Sequence, residues 1–270
     1  MNTNLKTLRI GNQTNCHIPA MLPFEFALKH NFDAFEWFSD PGRDGWNEKL
    51  FDNSQLQNIR EQGRKNDIRF SVHAPWRADP TCENGRNEIL ESISFAEKIG
   101  AGLVNFHIFP EKECCRYVEA IIPLLQKASA AKIQLSLENV PQCSPEYINQ
   151  LFEILQNNSQ FFSMIGLCLD IGHANLFPET RRHFNEYLRR ISGNVKILHL
   201  HAHENFGDTD QHLPLFTGPS ASDENCLKHL VSQLKERAFA GSVVMEQWPQ
   251  PPEILVKTRK RLLEIWNDGG

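Results

Sequence analysis

The chain of 270 residues suits one large domain or two small ones, and 40% hydrophobic against 23% charged residues is the balance of a globular protein able to bury a sizeable core. A net charge of -5 argues against a general electrostatic grip on nucleic acid or acidic lipid. Seven cysteines without a CxxC pair argue against a disulfide framework, and no apolar run reads as a signal peptide or bilayer span, so a cytoplasmic protein without a membrane partner is expected.

In chain order, short β-type runs alternate with amphipathic helical runs, eight times over. The predicted strand Leu8–Asn12 precedes a helix over Pro23–His30, and Ala34–Phe38 precedes Ser54–Lys65. Arg69–His73 precedes Asn87–Ile99, and Leu103–His107 precedes Arg116–Ala131. The second half continues with Ile133–Glu138 and Pro145–Gln156, Ile165–Asp170 and Thr180–Arg190, Val195–His201 and Glu224–Arg237, then Ser242–Glu246 and Pro252–Asn267. Runs rich in Val, Ile, Leu and Phe suit parallel strands covered by helices. Ser54 and Ser144 stand where N-caps are expected, Pro145 suits a first helical turn, and Gly100 suits a C-cap. Eight such units close into an α/β fold, a (β/α)8 TIM barrel forming a single domain over residues 1–270. An open doubly wound sheet uses fewer strands and a Gly-rich first turn, and no GxGxxG follows the first strand.

Barrel interiors are filled mostly by apolar side chains, and in TIM-barrel enzymes the chemistry sits at the C-terminal rim. The predicted strand ends are rich in imidazole and carboxylate. The third strand ends in Ser71-Val72-His73, the fourth in Asn105-Phe106-His107, the fifth in Leu137-Glu138-Asn139, and the sixth in Asp170-Ile171-Gly172-His173. The seventh reads His199-Leu200-His201-Ala202-His203-Glu204, and the eighth ends in Glu246-Gln247-Trp248. The long aperiodic loop that follows the seventh strand adds Asp210-Gln211-His212. One buried His or Asp is usually a hydrogen-bonded core residue or a cap, but this many on one rim form a ligand set for zinc, manganese or iron. His30, His183 and His229 fall in helical segments and are expected at the surface, and His17 is ambiguous.

These motifs resemble the xylose-isomerase-like barrel superfamily, which groups sugar-phosphate isomerases and epimerases with the endonuclease IV family of abasic-site nucleases. The resemblance runs from Arg9-Ile10-Gly11 to Glu246-Gln247-Trp248. On the pattern of the nuclease branch it implies metal ligation by His73, His107, Glu138, Asp170, His173, His201, Asp210, His212 and Glu246. His199 is the alternative seventh-strand ligand. On the pattern of the epimerase branch it implies a single ion held by Glu138, Asp170, His201 and Glu246. One to three divalent ions (Mn, Zn or Fe) per chain are therefore expected.

The preferred expectation is a metal-dependent isomerase or epimerase acting on a sugar or related hydroxy-carbonyl compound through a metal-stabilised enediolate. Glu138 and Glu246 would abstract and return the proton, while His173, His203, Trp76 and Trp248 would contact the small-molecule substrate. The alternatives are an endonuclease IV-like phosphodiesterase acting on abasic DNA and a multinuclear iron oxidative enzyme. Nucleic acid is the weaker partner, because the loop Glu204–Asp223 contains no Lys or Arg and Asp40–Asp52 is acidic. Trp46 is also placed near the mouth, and self-association into a homo-oligomer is left open.

Overall fold

The computed structural model describes residues 8–15, 18–39, 48–158 and 160–268. Its strands are β1 (Arg9–Gln13), β2 (Ala34–Phe38), β3 (Arg69–His73), β4 (Leu103–His107), β5 (Gln134–Glu138), β6 (Ile165–Asp170), β7 (Ile197–His201) and β8 (Ser242–Met245). All pair in parallel, in chain order, and β8 closes back on β1 to complete the barrel. The helices are α1 (Met21–Lys29), α2 (Asn53–Lys65), α3 (Glu83–Ile99), α4 (Cys114–Ala130), α5 (Pro145–Asn158), α6 (Ile171–Leu176), α7 (Phe184–Arg190), α8 (Asn225–Glu236) and α9 (Glu253–Asp268). No helix among the described residues is long and apolar enough to cross a membrane.

Most predicted elements form within a residue or two of their expected ends. The expected helix over Thr180–Arg190 does not form as one piece: Arg182 at φ 66° separates the 3-10 turn Pro178–Thr180 from α7, and the short α6, which was not expected, lies before both. The cap of α2 is Asp52, not Ser54. Its carboxylate accepts the Gln55 N–H at 2.8 Å, and the Gln55 side chain accepts the Asp52 N–H at 2.9 Å, a reciprocal pair that satisfies two otherwise free donors. Ser144 does cap α5, accepting the Tyr147 N–H at 3.1 Å. Gly100 ends α3 at φ 76°, where a residue without Cβ costs least. His30 is half-buried against Phe26, with ring centroids 4.3 Å apart, and does not project into solvent as expected.

The core lies between strands and helices. Trp37 is fully buried on the outer face of β2, and Phe24, Phe35, Phe70 and Phe95 surround it with ring centroids 4.9–6.3 Å away. Such tilted and edge-on pairs contribute about 0.5–1.5 kcal/mol each beyond their burial. The lumen departs from the expected apolar filling. Glu36 on β2 reaches His199 and His201 on β7, strands that are not neighbours, so the contact crosses the barrel interior. Asn105 donates to Glu138 and accepts from Ser136 at 2.8 Å, and all three are buried.

Candidate metal centre

Strand register sets the rim. His107 lies opposite Glu138, Glu138 opposite Cys168, and Asp170 opposite His201, so strand-end residues from β4 to β7 form adjoining steps of one ring. Glu138 is its hub. His73 Nε2 lies 3.0 Å from Oε2, His107 Nε2 lies 3.3 Å from Oε1, and His201 Nδ1 lies 3.2 Å from Oε2. Asp170 ends β6 and caps α6: one oxygen accepts the His173 N–H at 2.6 Å, and the other faces His203 Nε2 at 3.0 Å. Gly172 permits this closeness, since a Cβ there would come within 1.9 Å of the His203 ring. Asn139 braces β5 against β6, donating to the Asp170 carbonyl and accepting its N–H, both at 2.9 Å.

The loop after β7 supplies the outer part of the ring. Asp210 lies 3.2 Å from His173 Nε2 and 3.1 Å from His212 Nε2, and the His212 ring stacks on His203 at 4.0 Å. Glu204 closes this loop. Its carboxylate accepts the N–H groups of Gly218 and Ser220, both at 3.0 Å, while its backbone pairs with Leu213. Arg182 donates to the Phe206 carbonyl at 2.8 Å and so helps to hold the loop. Glu246, just past β8, comes within 3.1 Å of His201 Nδ1 and 3.5 Å of His203 Nε2.

All nine expected ligand residues thus come together. The sequence expectation put His201 among the ligands and His203 against substrate. In the structure both imidazoles stand in the carboxylate ring, His203 between Asp170 and Glu246, and His201 between Glu138 and Glu246. His201 also reaches inward, with Nε2 2.8 Å from Glu36. His199, the alternative, lies deeper and faces Glu36 at 2.9 Å. Trp76 is 45% exposed beneath the Arg77 guanidinium, and it lines a cavity of about 480 Å³ beside His107. Trp248 is half-buried, edge-on to Phe26 at 5.3 Å. His17 and Trp46 lie outside the described residues. Glu36, Asn105, Asn139 and Glu204 were not anticipated in these positions. Glu36 left one signal, a carboxylate in the middle of the apolar run AFEWF.

The electrostatics follow from burial. Burial pushes the Glu138 carboxyl up, but His201, His107 and His73 outweigh it and hold the group well below the usual carboxylate range. Asp170 is held down likewise, against its burial, by His173 and His203. Burial alone would lower His173, yet Asp170, Asp210 and Glu138 raise it to about 10. His212 is raised to about 9 against the same penalty by Asp210 and Glu246. Even so, Glu138 Oε1, His201 Nδ1, His203 Nδ1 and Glu246 Oε2 are buried and make no hydrogen bond of good geometry. Imidazole and carboxylate atoms turned on one another at 3.0–3.9 Å, several of them without a hydrogen bond, fit divalent cations. Four ligand groupings form at the rim among the described residues: His73 with Glu138, His201 and Glu246; Glu138 with Asp170 and His173; Asp170 with His203 and Glu246; and His173 with His203, Asp210 and His212.

The comparisons agree with this architecture. A protein MJ1311 of Methanocaldococcus jannaschii, itself uncharacterized, is 25% identical over 264 residues, covering 88% of this chain and 83% of the relative. The solved structure of a D-tagatose 3-epimerase-like protein superposes with a TM-score of 0.72 at 22% identity, covering 97% of this chain and 99% of the other. The TTHB071 protein of Thermus thermophilus, soaked with zinc chloride, superposes with a TM-score of 0.66 at 20% identity over 97% and 100% of the two chains. Residues 24–265 match the model of one family, and the chain belongs to it: the xylose isomerase-like TIM barrels.

Proposed function

We propose that the rim centre is a metal-dependent isomerase or epimerase site for a sugar or related hydroxy-carbonyl compound. One observation carries the reading: Glu138 and Glu246 flank a single point, His201 Nδ1, at 3.2 and 3.1 Å. Two carboxylates converging from different strands are what proton removal and return at one carbon require. Glu138 is held by His73, His107 and Asn105, and each of the two carboxylates keeps one oxygen without a hydrogen bond, Oε1 of Glu138 and Oε2 of Glu246. The ions are zinc, manganese or iron, one to three per chain. His73, His107 and Glu138 would hold one, Asp170, His203 and Glu246 with Glu138 a second, and His173, Asp210 and His212 a third. Bound there, the ions would supply Lewis acidity to substrate oxygens and so acidify the C–H between them. Trp76 and the cavity beside His107 receive the rest of the substrate. The D-tagatose 3-epimerase-like neighbour supports this choice of substrate class, and the zinc-soaked one supports zinc among the ions.

A second reading, phosphodiester hydrolysis at abasic DNA, is favoured by the outermost grouping of His173, Asp210 and His212, because a centre of several ions suits hydrolysis. One experiment separates the two. Metal-loaded protein is incubated with a panel of ketoses and aldoses in D₂O, and in parallel with an abasic duplex. Deuterium entering the carbon beside the carbonyl, and lost in Glu246→Gln, is the expected result. Duplex cleavage without exchange would replace the first reading with the second.

A further inference from the structure

We infer that the barrel interior holds another cation site beneath the rim centre, formed by Cys168, His199 and His201 with the Glu36 carboxylate against both imidazoles, and suited to zinc. Cys168, His199 and Glu36 take no part in the chemistry proposed for the rim. Donor atoms of Cys168, His199 and His201 lie within 4.8 Å of one another, and all three residues are buried. The Glu36 oxygens lie 2.9 Å from His199 Nε2 and 2.8 Å from His201 Nε2. Zinc bonds of about 2.0–2.3 Å place the donors of a tetrahedral shell roughly 3–4 Å apart, so the cluster already has nearly that size. Thiolate and imidazole together favour zinc over the hard oxygen-seeking ions.

Position supports the assignment. A barrel lumen is normally filled by apolar side chains. Here a carboxylate, two imidazoles and a thiol occupy it, with Glu36 wholly buried, an arrangement that is costly without a compensating charge. There is also a separate access route. A cavity of about 300 Å³ is lined by Ser71, His199 and Ser242 together with Arg69, Lys196 and Gly241. Arg69 and Ser242 begin β3 and β8, so this cavity opens at the N-terminal mouth, opposite the rim. An ion can reach His199 from there without crossing the catalytic centre. On binding, Cys168 becomes a thiolate and its proton passes to solvent, while each histidine binds as neutral imidazole through its unprotonated nitrogen and keeps its one ring proton on the other.

The test uses the full chain, with surface thiols alkylated, stripped of metal by chelator and titrated with Co(II) alone. Among the described residues the rim offers only nitrogen and oxygen, so a thiolate-to-cobalt charge-transfer band in the near ultraviolet that depends on Cys168 reports the interior site. The expected result is that band, together with one metal equivalent beyond those of the rim, both lost in Cys168→Ser while the visible bands of the rim cobalt persist. Saturation without a thiolate band, or a band that survives in Cys168→Ser, overturns the inference. Zinc X-ray absorption on the unsubstituted, alkylated protein removes any dependence on how the variant folds. A sulfur neighbour at about 2.3 Å supports the site, and a shell of nitrogen and oxygen alone overturns it. Rim metal retained in Cys168→Ser keeps the failure of this site distinct from failure of the rim reading.

Discussion

The two halves of the barrel are built differently. The half from β1 to β4 holds the dense aromatic packing around Trp37 and, among the described residues, gives the metal centre only His73 and His107. The half from β5 to β8, with its loops, contributes Glu138, Asp170, His173, His201, His203, Asp210, His212 and Glu246. Scaffold and chemistry are thus unequally shared around one closed sheet. Substitutions in the first half should act mainly on stability, and those in the second mainly on metal binding and rate.

The largest expected effect is on the chemical side. Glu138→Gln keeps the shape of the side chain but removes the charge that gathers His73, His107 and His201. Turnover should fall about 10³-fold, within the usual range for a lost acid–base group. Deuterium exchange and far-ultraviolet circular dichroism measured together check this, and a variant that exchanges at the original rate removes Glu138 from the mechanism. The counterpart on the other side is Trp37→Ala. It empties a fully buried site among five aromatic rings and should cost about 3–5 kcal/mol of stability. Denaturant unfolding measures the loss, while metal stoichiometry in the folded fraction should stay constant. Coupled loss of metal would erase the division between the halves.

Gly172→Ala probes the contact between α6 and His203. The added methyl must displace an imidazole that would otherwise lie 1.9 Å from it, so His203 is pushed away from Asp170 and Glu246. Metal affinity should weaken about 10–100-fold, the scale for disturbing a ligand's support. Competition against a chelating dye measures it. Unchanged affinity would mean that His203 does not ligate.

Strand positions and the clustering of imidazole and carboxylate at strand ends were legible in the sequence, because hydrophobic period and residue type are local properties. The lumen was not. Glu36 meets His199 and His201 only because β2 and β7 face each other across a closed barrel, a distance of more than 160 residues along the chain. The roles of His201 and His203 were equally hidden. Alternation puts both on the same side of the chain, and only the approach of Glu36 from below and of Asp170 from the side separates them. Glu204 was legible only as a carboxylate after the seventh strand; it folds the loop through two backbone N–H groups that no spacing rule indicates. The break at Arg182 was missed because a positive φ in a non-glycine residue leaves no mark in hydrophobic periodicity.

The smallest expected effect falls on the seam between the halves. Trp76 follows β3, is 45% exposed, and carries the Arg77 guanidinium 4.3 Å above its ring, so its loss should cost the fold little. It also lines the cavity beside His107, where the apolar side chains of Phe109 and Val140 complete a surface for the part of a substrate remote from the reacting carbon. Removing one aromatic face from such a surface forfeits about 0.5–1.5 kcal/mol, which corresponds to a rise in KM of roughly 2–10-fold for Trp76→Ala. Binding of this kind is made equally in ground and transition states, so kcat should hold steady. Steady-state kinetics on whichever substrate exchanges deuterium measures both constants. A fall in kcat with KM unchanged would place Trp76 in the chemistry and extend the reactive half of the barrel back to β3.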